Sequence, residues 1–181
     1  MDTARLLAGF RTTAGIDTKG VRPYGGWEDS LLGGHCVGHY LTALAQAVKV
    51  TGDKELKEKS QTLIAGLEEC QKKLGTGFLF GAKVEDKEDV EKQFDILEGK
   101  KKGETWVPWY NMHKVLAGLV DTYKYTGNET ALLVAEKLGD WIYERVSKWD
   151  LKTNQKVLET EYGGMNDCLY ELYSYLSLIH I

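Results

Sequence analysis

The residues best suited to chemistry fall in three short clusters, Tyr24 to Tyr40, Trp106 to His113 and Glu161 to Asp167. Together they are rich in Gly, aromatic, His and carboxylate residues. In the first, Gly34-His35-Cys36-Val37-Gly38-His39-Tyr40 sets His35 and His39 four apart, hence on one face of a helix. A metal pair, a pair of hydroxyl ligands and simple packing all fit that spacing. A zinc-hydrolase pair needs a third ligand and a Glu between the two histidines, and no Glu lies here, which disfavours the metal. In the second, Trp106-Val107-Pro108-Trp109-Tyr110-Asn111-Met112-His113, the Pro stops any preceding helix and sets the start of the next. One of the two tryptophans then belongs to packing at the helix start, and His113, one turn in, is the better pocket residue. In the third, Glu161 and Asn166 flank the turn Gly163-Gly164, where close backbone approach is possible, and Asp167 has a simple helix cap as its alternative reading.

Three such clusters at matching points imply one shared concave site with aromatic walls and a few convergent polar groups. Sugars suit that combination, because their C–H faces stack on Trp or Tyr while their hydroxyls need polar partners. Glu28, Asp29 and Glu161 are carboxylates of the kind glycosidases use in pairs, but only their separation in space distinguishes retention from inversion. The three cysteines, Cys36, Cys70 and Cys168, have neither CxxC nor zinc-like spacing and read as small hydrophobes on helices. No nucleophile elbow, phosphate loop or dinucleotide fingerprint occurs in the sequence.

The elements that must position these residues are helical. From Tyr40 to Val50, Leu41, Leu44, Ala45 and Val48 recur at helical spacing, and Thr51-Gly52-Asp53 then supplies a C-terminal Gly and a new N-cap. A second helix over about Lys54 to Leu74 carries Leu56, Leu63, Ile64, Leu67, Cys70 and Leu74 on one stripe. The pattern returns 75 residues on, placing Leu41 on Leu116, Leu44 on Leu119 and Thr51-Gly52-Asp53 on Thr126-Gly127-Asn128. Its second helix runs over roughly Glu129 to Val146, and a third unit begins near Met165 with Leu169, Leu172, Tyr173 and Leu176. Such long hairpin repeats exclude the short helical solenoids and suit a toroid, whose inner helices all begin on one rim. Between hairpins, the segment from Gly75 to Thr105 contains Gly-Phe-Leu-Phe-Gly and a charged stretch, Glu85 to Lys102, expected to be a solvated excursion, with a pocket-rim role as the alternative.

Composition sets limits on function. The 181 residues, 43% hydrophobic and 28% charged, suffice for one domain with a core. A net charge of −4, with Lys and Arg dispersed among acids, offers no footprint for nucleic acid or an anionic membrane. Met1 to Phe10 is amphipathic but lacks the apolar run and cleavage site of a secretory signal, so the chain reads as cytoplasmic.

Taken in order, Gly34-His35 through Gly38-His39-Tyr40-Leu41, Val107-Pro108-Trp109-Tyr110 with His113-Lys114, Leu116-Ala117-Gly118-Leu119, and Glu161-Tyr162-Gly163-Gly164-Met165-Asn166 resemble glycoside hydrolase family 127, the β-L-arabinofuranosidases. The resemblance spans roughly Leu6 to Tyr175. It implies an all-α fold, αα-hairpin repeats forming part of an (α/α)6 barrel, and activity on plant-derived L-arabinofuranosides. It also implies a retaining mechanism with a zinc-held Cys nucleophile and a Glu acid/base. Cys36 and Cys168 do not match the family's cysteine motif, so the resemblance assigns this chain no catalytic residue and no metal; zinc is expected only in the full-length enzyme. What carries over is carbohydrate contact by His113, with His39, His35, Trp109, Glu161 and Asn166 behind it.

The family's usual length makes 1–175 a partial barrel, and Leu176 to Ile181 reads as a non-native tail. Epimerases and unsaturated glucuronyl hydrolases, which also use α/α toroids, are the competing enzyme reading. A non-catalytic helical sugar-binding module is the competing binding reading.

Overall fold

Two left-handed glycines set the architecture. Gly52 (φ 67°) ends α2 (His35–Thr51) and Gly127 (φ 66°) ends α5 (Pro108–Thr126). In each case the next polar residue caps the following helix. Asp53 accepts the Leu56 N–H at the head of α3 (Lys54–Leu74), and Asn128 accepts the Ala131 N–H at the head of α6 (Glu129–Val146). The repeated Thr-Gly-Asp/Asn sequence therefore makes the same hairpin turn twice. The computed structural model describes residues 1–84 and 86–180, with side chains through 176. Among these residues there is no strand. The tail at 176–181 falls largely outside the described side chains.

The hairpins pack in two layers. Inner helices α2 and α5 lie side by side, and α8 (Met165–His180) follows on the far side of α5. Outside them run α3 and α6, with α1 (Thr3–Thr13), capped by Asp2, against α3. Leu41 and Leu116, the pair matched by the sequence repeat, are both fully buried. Each such leucine contributes roughly 1.5–3 kcal/mol by leaving water. This arc of paired inner and outer helices belongs to an α/α toroid. No helix among the described residues is long and apolar enough to cross a membrane.

The charged stretch is a solvated excursion only at its ends, 86–88 and 99–102 being exposed while its middle is docked, and the segment ahead of it is buried. Phe78, Leu79 and Phe80 of the Gly-Phe-Leu-Phe-Gly segment are buried, and the Gln71 amide donates to Gly77 O (2.8 Å) and Val134 O (3.0 Å), tying that segment to α3 and α6. The charged stretch folds as a short helix, α4 (Lys92–Leu97), whose Phe94 is fully buried against Phe80, Trp109 and Trp141. Its acids face inward because Arg145 of α6, only 10% exposed, reaches Glu91 (2.8 Å), Asp95 (2.5 Å) and Glu98 (2.6 Å). One nearly buried cation thus turns a polar run into a docked element. A further helix, α7 (Leu151–Leu158), anchors by Val157 and leads to the head of α8.

Candidate functional site

Both inner helices begin without a capping side chain of their own. Gly34 and Val107 stand at their N-cap positions, and each helix borrows a carboxylate instead. At the head of α2, Glu28 from the 3-10 turn Gly26–Asp29 accepts the N–H groups of Gly34 (2.9 Å) and Cys36 (3.3 Å). At the head of α5, Glu161 accepts those of Trp109 (3.0 Å) and Tyr110 (2.5 Å). Anions are favoured at these positions because the first amides of a helix are unpaired and carry the positive end of its dipole. The borrowed cap also explains why α2 starts at His35, five residues ahead of the apolar stripe that marks it in the sequence.

The heads of α2, α5 and α8 meet around a cavity of about 560 Å³. Its walls include Trp27, His35, Trp106, Tyr110, His113 and Glu161. The His113 ring lies against Gly164 so closely that a Cβ on the glycine would stand 2.1 Å from the ring. Of the glycine pair it is Gly164 that lets backbone approach a pocket residue. Burial, reinforced by Lys114, pushes the His113 imidazole down to about 4, leaving it neutral near pH 7. Burial pushes Glu161 up to about 7, against the opposing pull of its two N–H donors. His39 is exposed and does not line the cavity; its Nε2 lies 3.5 Å from the hydroxyl of Tyr110, which does, and burial followed by the Lys114 charge lowers its pKa.

His35 is held more firmly. Its Nδ1 lies 2.8 Å from Leu32 O and 2.9 Å from Glu28 Oε1. Two acceptors facing Nδ1 require the proton there, which leaves the lone pair on Nε2, 3.7 Å from Cys36 Sγ. Donor atoms of Glu28, His35 and Cys36 all lie within 4.8 Å of one another. Sequence spacing had pointed to no metal ligands in this chain, yet the fold assembles this one triplet among the described residues. Burial and the neighbouring Glu28 push the Cys36 thiol up to about 12. Cys70 and Cys168 are buried in the core.

Besides His39, two candidate residues sit elsewhere than expected. Trp109 is 6% exposed, with its ring packed among Phe94, Trp141 and Trp149, so it backs the cavity wall while Trp106, 46% exposed, presents an open face. Of the tryptophans flanking Pro108, the core member is the one inside the helix. Asn166 is exposed and lines the neighbouring apolar groove between α6, α7 and α8 instead of the cavity. Trp27 and Tyr110, absent from the sequence-based set, join the wall; their clustering with Gly and His was the available signal.

Comparison with known proteins gives these features a context. No curated protein matches the chain. A crystal structure of Ara127N-Se, a GH127 β-L-arabinofuranosidase from Geobacillus stearothermophilus T6, superposes on 98% of this chain with a TM-score of 0.65 at 16% identity, which establishes the shared fold. The chain spans 25% of the length of that protein. The pattern of the β-L-arabinofuranosidase GH127 catalytic domain matches residues 1–176, and the chain accordingly belongs to that glycoside hydrolase family.

Proposed function

We propose that this chain supplies one wall of the sugar pocket in a retaining β-L-arabinofuranosidase acting on plant-derived L-arabinofuranosides. The observation that carries the reading is the meeting of three helix heads around one aromatic-walled cavity in which His35, His113 and Glu161 converge. A neutral imidazole offers one donor and one acceptor, which suits a sugar hydroxyl, and the open faces of Trp27 and Trp106 suit a sugar ring. In this reading His113 and His35 contact hydroxyls, and His39 acts from outside the cavity through Tyr110. Glu161 contacts the ligand and also holds the α5 head, Trp109 braces the wall, and Asn166 lies beside the bound sugar.

The nucleophilic cysteine, its zinc and the acid/base glutamate belong, in this proposal, to parts of such an enzyme outside these residues. Zinc there would stabilise the thiolate that attacks the anomeric carbon. The contribution of this chain is binding and orientation, which count because interactions that position the reacting carbon lower the barrier.

Calorimetric titration of the chain with L-arabinose and methyl β-L-arabinofuranoside tests the reading. Binding should weaken roughly 10-fold in His113→Ala, the equivalent of about 1.4 kcal/mol. Indifference of sugar binding to both His113→Ala and His35→Ala would remove the pocket from the proposal. Binding with no release of L-arabinose from an aryl β-L-arabinofuranoside by any longer protein containing this chain would favour a non-catalytic sugar-binding module.

A further inference from the structure

Capping the head of α2 requires only the Glu28 carboxylate, yet the fold brings an imidazole and a thiol to the same point. The Nδ1 of His35 is occupied by Leu32 O and Glu28 Oε1, so the basic nitrogen is Nε2, and Nε2 lies 3.7 Å from Cys36 Sγ. Two ligands of one tetrahedral zinc, at about 2.0 Å for nitrogen and 2.3 Å for sulfur, stand about 3.6 Å apart. The pair therefore already has the separation a shared ion demands. A carboxylate on the far nitrogen is also what fixes the ring and raises the basicity of a metal-bound histidine.

We propose that Glu28, His35 and Cys36 form a binding site for a soft divalent cation, Zn²⁺ fitting best, with two coordination positions left open to water or ligand. His35 Nε2 and Cys36 Sγ are its direct ligands. Glu28, whose Oε1 lies 2.9 Å from the ring's Nδ1, holds the ring and supplies negative charge. Thiolate and imidazole together select zinc over magnesium or calcium, which take oxygen ligands. The first amides of α2 do not repel the ion directly, because Glu28 already accepts the N–H groups of Gly34 and Cys36. His35 lines the cavity, which sets the site beside the space assigned to the sugar.

This site differs from the His35 and His39 pair that sequence spacing brought forward. Those rings stand edge to face with centroids 6.1 Å apart, and His39 lies outside the donor triplet. It is tested apart from the arabinofuranosidase reading, since metal is measured without sugar, and with the ion bound His35 meets the sugar only through the ion's open positions. Loss of sugar binding in His113→Ala bears on that reading alone.

The experiment strips the 181-residue chain with chelator, reloads it with Zn²⁺ or Co²⁺, and measures bound metal after dialysis together with the thiolate-to-Co²⁺ charge-transfer absorption. One equivalent and a clear charge-transfer band are expected. Cys36→Ser should abolish the band and weaken zinc by at least about 100-fold, Glu28→Gln should weaken it by about 10–100-fold, and Cys70→Ser should change neither. In the unsubstituted chain Zn²⁺ should also shield Cys36 from alkylation, mapped by mass spectrometry, which keeps the answer accessible if a variant misfolds. Failure to retain zinc, a Co²⁺ complex without the thiolate band, or unprotected Cys36 in the presence of zinc would each overturn the site.

Discussion

Gly38 of α2 and Gly118 of α5 face each other backbone to backbone. A methyl group on Gly38 would stand 2.0 Å from the Lys114 carbonyl oxygen, and one on Gly118 would stand 2.5 Å from the Gly38 carbonyl oxygen. This crossing brings the two inner helices close enough for His35, Tyr110 and His113 to share one cavity.

Alanine at either glycine is expected to destabilise the fold by about 1–3 kcal/mol, the usual cost of overpacking, despite a gain of about 1 kcal/mol in helix propensity. Gly139 of α6 is the control. Its added methyl would meet only the end of the Leu172 side chain at 3.1 Å, so Gly139→Ala should be neutral or stabilising. Urea unfolding measures all three, and equal behaviour at Gly38 and Gly139 would show that the close crossing does not constrain the helices.

Removing the borrowed cap should loosen α5. Glu161→Ala deprives the Trp109 and Tyr110 N–H groups of their acceptor and is expected to cost about 0.5–2 kcal/mol, while Glu161→Gln keeps a carbonyl acceptor and loses less. Hydrogen exchange at the first turn of α5 should accelerate in the alanine variant. Unchanged exchange there would mean that the carboxylate serves only the cavity.

Glu161 and His113 impose opposite pH dependences on stability. Glu161 is raised from 4.5 to about 7, so its contribution is fully present below 4.5 and lost as pH rises through 7. His113 is lowered from 6.5 to about 4, so its contribution is present above 6.5 and lost as pH falls through 4. Between these limits the two slopes oppose. Glu161→Gln should therefore make stability rise more steeply from pH 4.5 to 7, and His113→Gln should make it fall more steeply over the same interval. Denaturant midpoints at stepped pH give the answer, and parallel curves for both variants and the parent would refute it.

Arg145 is the pin of the charged insertion. Arg145→Ala would leave Glu98, whose side chain is fully buried, with only the half-exposed Lys100 (2.5 Å) as its cation, and more than about 1 kcal/mol of destabilisation is expected from the partly compensated buried charge. Hydrogen exchange in α4 should rise before that of α2 and α5. A loss below about 1 kcal/mol, the range of exposed pairs, would show that water already screens the cluster.

The hairpins were legible in the sequence because their determinants are local. Apolar stripes at helical spacing, a glycine able to take positive φ and a capping residue right after it lie within a few positions of one another, and their return 75 residues later registers α2 on α5. Pro108 likewise marks the start of α5 from inside that helix. The same local order carried the family resemblance.

Only tertiary structure decided the details of the site, because each depends on partners distant in the chain. Glu161 reaches Trp109 across 52 positions and Arg145 reaches Glu91 across 54, distances at which no periodicity connects the residues. Which tryptophan beside Pro108 faces the cavity was settled by the packing of Phe94, from a stretch that its charge made look solvated. Glu28, His35 and Cys36 are near neighbours in sequence, but their spacing matches no metal motif. A turn with backbone geometry that spacing does not encode brings the carboxylate back over the head of α2.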